Sequence, residues 1–157
     1  MAEDFSYSFN AKRIKVKQKD NGDYRFTFKV GHSSNVSSLS KRPARQTYYF
    51  TISHFEKEFD SFFPGSKPNA SLNFWDKGES QIMVHKIKSM KVNKKSKVII
   101  DIDPLQLLGS FEALPELIGA ASFFVDSGSS GGNCKAEDDC FACEGAMCIG
   151  FPSEHLE

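Results

Sequence analysis

The segment Tyr24-Arg25-Phe26-Thr27-Phe28-Lys29-Val30 alternates large apolar and polar residues without a break, directly after Asp20-Asn21-Gly22-Asp23. A period of two places Tyr24, Phe26 and Phe28 on one face and Arg25 and Lys29 on the other, the pattern of a half-buried strand and not of a helix. Asn and Gly accept positive φ, so residues 20–23 form a turn and the chain before them pairs antiparallel with this strand. That chain has the matching pattern: Phe5, Tyr7 and Phe9 alternate with polar residues, the phase slips, and Ile14 and Val16 continue it. The slip predicts a long strand with a bulge near residues 10–12, with Arg13, Lys15 and Lys17 on its polar face. A chain that begins with an aromatic-faced hairpin needs a sheet that covers that face.

A length of 157 residues supports one domain with its own core. Hydrophobic residues reach only 39%, but 15 Phe, 4 Tyr and 1 Trp supply large apolar surfaces, so the core is expected to be aromatic and to need no disulfide. Residues 31–46, Ser-rich and basic, read as a loop with little to bury. Residues 48–52 read as a short strand. Ser53 and Glu56 form a capping-box pattern ahead of Phe55, Phe59, Phe62 and Phe63 at helical spacing, and Pro64-Gly65 ends that helix. Strands follow at residues 71–76, 81–92 and 97–102, with turns at Lys77-Gly78 and residues 93–96. Asp103-Pro104 is a helix-start pair, so short helices are expected to cover residues 105–121.

The expected fold is therefore α+β and mainly antiparallel β, in the order β-β-β-α-β-β-β. It comprises a β-rich domain with a helical cover over residues 1–125, then a flexible Gly/Ser linker and an acidic cysteine-bearing tail over residues 126–157. A helix after the third strand is similar to the element order of OB-fold barrels, and a small sandwich is the other arrangement.

The formal net charge is zero, yet residues 1–100 carry 19 Lys and Arg against 9 acids, while residues 101–157 carry only Lys135 against 11. Such asymmetry steers partners and says nothing about fold. Alternation gathers Arg13, Lys15, Lys17, Arg25 and Lys29 on one sheet face. Lys86 and Lys88 open a second basic run, and Lys41, Arg42 and Arg45 add a third. If these converge, the surface attracts a polyanion by counterion release; if not, they solvate the outer face of a sheet and guard its edges. Trp75 falls out of phase with Leu72 and Phe74, which leaves the indole at the outer side or strand end, placed to stack on a base or to cover the end of the core.

Cys134, Cys140, Cys143 and Cys148 lie within fifteen residues. Four thiolates suit zinc, but so short a segment leaves little chain to wrap the metal; free or transiently oxidised thiols, an iron-sulfur cluster and local disulfides are the other readings. Gly131-Gly132 ahead of Asn133-Cys134 resembles the double-glycine boundary of ribosomally made, modified peptides, which would imply a modified cysteine-bearing C-terminal peptide. The basic sheet followed by an acidic tail is similar in layout to single-strand binding proteins of the OB class.

No phosphate cradle, nucleophile elbow or zincin motif is present, and His32, His54, His85 and His155 show no metal spacing, so catalysis is not expected. The N-terminus lacks a secretory pattern, and the apolar residues 104–125 are interrupted by charge, Pro and Gly, so a cytoplasmic protein without a membrane span is expected. The reading that covers most of these features is a non-enzymatic protein that binds single-stranded nucleic acid or another polyanion on its basic face, with a tail that masks the face or recruits a partner. The alternative is an assembly protein that forms head-to-tail homo-oligomers through complementary charge.

Overall fold

The computed structural model describes residues 5–40, 46–108, 113–126, 142–144 and 147–149. In it the 20–23 turn joins β1 (Phe5–Gln18) to β2 (Tyr24–Lys29). Gly22 takes φ +92° and donates to the Lys19 carbonyl at 3.0 Å, while Asn21 Oδ1 accepts the Asp23 N–H at 3.0 Å. The side chain thus satisfies a backbone group that the turn would leave without a partner.

After a short 3-10 turn at Val30–His32 come β3 (Val36–Ser40), β4 (Thr47–Phe50), α1 (Ile52–Lys57), α2 (Phe59–Phe62), β5 (Asn69–Asp76), β6 (Glu79–Val92), β7 (Lys97–Leu108) and β8 (Leu117–Asp126). A separate ribbon pairs β9 (Ala142–Glu144) with β10 (Met147–Ile149). All pairings are antiparallel, and six strands close a barrel in the order β1-β2-β7-β6-β5-β8 and back to β1. A small antiparallel β-barrel is the common ground with the expected fold; six strands close it, where an OB-fold has five. Closure leaves no free edge within the barrel.

β1 organises the closure. Its whole length to Lys15 pairs with β8, while on its other side residues 5–8 pair with β3 and residues 15–18 with β2. The β3–β4 ribbon therefore flares from the N-terminal half of β1, and α1 and α2 pack under it. Phe55, fully buried, sits within 6.2 Å of the rings of Tyr7, Phe9, Phe50, Phe59, Phe62 and Phe63. The chain of rings continues inside the barrel through Phe9, Phe123, Phe28 and Phe26. The aromatic core is as expected, and each buried Phe contributes about 1.5–3 kcal/mol.

The structure corrects four sequence expectations. The described residues of the 105–121 segment form no helical cover: β7 runs through Asp103-Pro104 to Leu108, and β8 begins at Leu117. Pro104 is tolerated because it sits opposite His85 at a register shift, where Leu105 is the extra residue and a missing N–H costs little. Within the supposed basic loop, residues 36–40 form β3, whose Val36, Ser38 and Ser40 are buried; serines are small enough to pack closely there. Helix α1 is capped two residues earlier than expected, by Thr51 Oγ1 accepting the His54 N–H at 3.0 Å.

The phase slip in β1 is also no inserted residue. Register against β8 is unbroken, yet Lys12 and Arg13 are both exposed, and so are Gly119 and Ala120 near them on β8. Both strands change phase at the same level, with Arg13 in the left-handed region at φ +55°. The residues of the expected linker and most of the tail lie outside the described residues.

Candidate polyanion surface and adjoining groove

Ile14 and Val16 turn inward on β1, so Lys15 and Lys17 face out; Phe26 and Phe28 do the same for Arg25 and Lys29 on β2. Register then sets these side chains in rows across the barrel. Lys17 lies opposite Arg25, Arg25 opposite Asp101, and Asp101 opposite Ser89; Lys15 lies opposite Thr27, Thr27 opposite Ile99, and Ile99 opposite Lys91; Lys29 lies opposite Lys97. The outer face of β1, β2, β7 and β6 is thus one basic surface.

Two acids partly neutralise it. Arg25 Nε donates to Asp101 Oδ1 at 2.7 Å and its Nη2 to Oδ2 at 3.0 Å, and Lys19 Nζ lies 3.5 Å from Oδ2. The Arg25 hydrogen bonds hold the Asp101 carboxyl below the usual carboxylate range. Lys88, the extra residue of the β6 bulge, donates to Asp23 Oδ2 at 2.6 Å, and that hydrogen bond likewise lowers Asp23. Arg25 and Lys88, both expected to bind a polyanion, are engaged within the protein. Among the described residues no ion pair engages Lys15, Lys17, Lys29, Lys86 or Lys91, although Lys86 lies opposite Asp103 in register.

Trp75 sits elsewhere. The indole, 71% exposed, lies near the end of β5 opposite Ser80, whereas Lys86 lies opposite Asn69 at the other end of β5 and Lys88 and Lys91 lie further along β6. The structure therefore divides the expected binding residues between two surfaces. Trp75 borders a groove of about 760 Å³ that crosses the outside of β5, β8 and β1 and is walled by the 31–34 loop. Asn73, Ser122 and Asn10 form one row across its three strands. Ser122 Oγ donates to Asn10 Oδ1 at 2.7 Å, and the loop is held to β1 by the Ser34 N–H donating to the Asn10 carbonyl at 2.9 Å.

The two surfaces meet at His32. Partial burial, and after it the charges of Arg13, Lys12 and Lys29, push its imidazole below the ordinary value, and Lys12 lines the groove with it. Of the expected residues, Arg13 and Lys29 mark that junction. Asn10, Lys12, His32, Asn73, Ser122 and Phe124 were missed by sequence reasoning. Alternation on β1 could have revealed Asn10 and Lys12; Ser122 and Phe124 fall just past the expected helices of residues 105–121, in a stretch for which the sequence predicts no strand.

Lys41, Arg42, Arg45, Cys134 and Cys140 lie outside the described residues. Cys143 and Cys148 occupy opposed positions on the β9–β10 ribbon. Among the described residues no group of three or more His, Cys, Asp or Glu could hold a metal ion, and no helix is long and apolar enough to cross a membrane. Comparison with known proteins finds no family model, no curated protein and no solved structure that matches this chain.

Proposed function

We propose that this chain is a non-enzymatic nucleic-acid-binding protein that engages phosphates through the outer face of β1, β2, β7 and β6. The observation that carries the reading is the set of unpaired lysines, Lys15, Lys17, Lys29, Lys86 and Lys91, on adjoining strands around the Arg25–Asp101 pair. A set of cations fixed on rigid strands contacts successive phosphates and releases their counterions. The OB-like comparison belongs to this reading: a small closed barrel that takes a strand on its outside. In the same reading the acidic tail competes for the face or recruits a partner, and the protein acts in the cytoplasm.

A second reading, self-assembly, is favoured by β4. Among the described residues it is the last strand of its sheet, with no strand beyond it, and its Tyr49 is 71% exposed. Such an edge is a template for pairing with another copy.

One salt series tests both. Oligonucleotide binding followed by anisotropy is expected to weaken with salt, with a log–log slope of about −0.7 per phosphate contacted, so roughly −3.5 if all five lysines engage. Absent binding at low salt, or binding indifferent to salt, overturns the first reading. Light scattering of the same samples that stays monomeric at high protein concentration overturns the second.

A further inference from the structure

We propose that the groove across β5, β8 and β1 is a stacking site for an unpaired nucleobase, with the neighbouring phosphate held at its Lys12, Arg13 and His32 rim. This rests on the nucleic-acid reading above and makes the ligand a single strand and not a duplex.

The groove has the parts such a site needs. Trp75 lies one residue beyond the Phe74↔Ala121 pair, level with Ala120, which in turn pairs with Lys12. Small side chains, Ala120, Ser122 and Ser80, leave the open volume beside the indole. An exposed tryptophan next to a floor of Ala and Ser presents a π-face that any base can cover.

The polar row is set for a planar partner. Donation from Ser122 fixes the Asn10 amide, so its Nδ2 hydrogens are donors without a protein partner among the described residues. Asn73 Nδ2 donates to Ser71 Oγ at 3.3 Å, while Asn73 Oδ1 is enclosed with no hydrogen-bond partner among the described residues. Enclosed acceptors of this kind are uncommon in folded proteins, and none of the described residues supplies the donor. A base edge carries donors and acceptors in one plane, at the level next to Trp75.

Charge separates a nucleotide from a neutral sugar, which would also use an aromatic and an amide row. Lys12 and His32 both line the groove, Arg13 follows Lys12 on β1, and Lys29 immediately precedes the turn that carries His32, so a neutral ligand would leave the repulsion among these cations in place. Arg13 is held there in the left-handed region, which favours glycine, so the backbone keeps a charged side chain at a strained position.

Trp75 is the sole tryptophan of the chain, so its emission reports the groove directly. Oligothymidylate is expected to quench it, whereas a DNA duplex and inorganic polyphosphate bind at low salt without quenching. Trp75→Leu, an exposed substitution whose fold is checked by circular dichroism, should weaken oligothymidylate about five- to hundredfold by anisotropy. Arg13→Gly, which the positive φ accommodates, should flatten the salt slope by about 0.7. Salt-sensitive binding with no quenching and an unchanged affinity in Trp75→Leu overturns the groove site and leaves the basic face standing. No binding of any polyanion at low salt overturns both. Quenching by a neutral oligosaccharide but not by oligothymidylate overturns the base assignment in favour of a sugar site.

Discussion

Acidification from pH 8 to pH 5 is expected to remove about 2 kcal/mol of stability through one residue, His85. The imidazole is fully buried on β6, edge-on to Phe26 with ring centroids 6.0 Å apart, and among the described residues neither ring nitrogen makes a well-formed hydrogen bond. Burial is the larger influence and pushes it down from 6.5 to about 4, against an opposing interaction with the Met83 backbone. The unfolded chain takes up the proton near pH 6.5 and the folded chain only near pH 4, so between these values the unfolded state binds more protons. The contribution is complete above pH 6.5 and is lost as pH falls toward 4, reaching about 3 kcal/mol at the lower end.

His85→Leu removes the titrating group and both unsatisfied nitrogens while keeping a similar volume. It should raise stability at pH 7 by about 1–3 kcal/mol and abolish this part of the acid loss. Urea unfolding at pH 8 and pH 5 measures both; with slopes of about 2 kcal/mol per molar, the wild-type midpoint should drop by about 1 M more than the variant's. His32 is depressed in the same direction, so the difference between the two chains is the quantity that isolates His85. Equal acid losses in both would refute the reasoning, because they would mean that the buried imidazole carries no proton-linked cost.

Phe55→Ala should cost about 3–5 kcal/mol in the same unfolding assay, since it empties the centre of the aromatic cluster that joins α1 and α2 to β1. Asp101→Asn should cost less than about 1 kcal/mol, because Arg25 is substantially exposed, but should strengthen oligonucleotide binding and steepen its salt slope by releasing Arg25 and Lys19. In the wild type the stability from Asp101, whose carboxyl is lowered by Arg25, is complete above its ordinary value of 3.8 and fades as pH falls below it.

Much of the barrel was legible because half-buried antiparallel strands announce themselves by alternation. The β1–β2 hairpin, β5, β6, the aromatic helix and the outward position of Trp75 all follow from local periodicity. β8 was not legible: Leu117-Ile-Gly-Ala-Ala-Ser-Phe-Phe-Val lacks strict alternation, since its outward face lines a groove floored by small residues. β7 was misread beyond Ile102 because Asp-Pro is a local helix signal, and pairing at a bulge overrode it. β3 was missed because Ser residues fill inward positions that usually carry larger apolar groups.

The sequence alone thus determined the strand faces, the aromatic core and the surplus of cations on the outward side of the first hairpin, since each depends only on residue spacing along one strand. It could not determine which outward faces adjoin, because that depends on pairing between distant segments. Only the closed barrel decided that Asp101 would sit beside Arg25, that Lys88 would meet Asp23, and that Trp75 would share a groove with Asn10 and Ser122 and not with the lysines of β2 and β6. The physical reason is that a side chain's direction is set by its neighbours in sequence, whereas its partners are set by register.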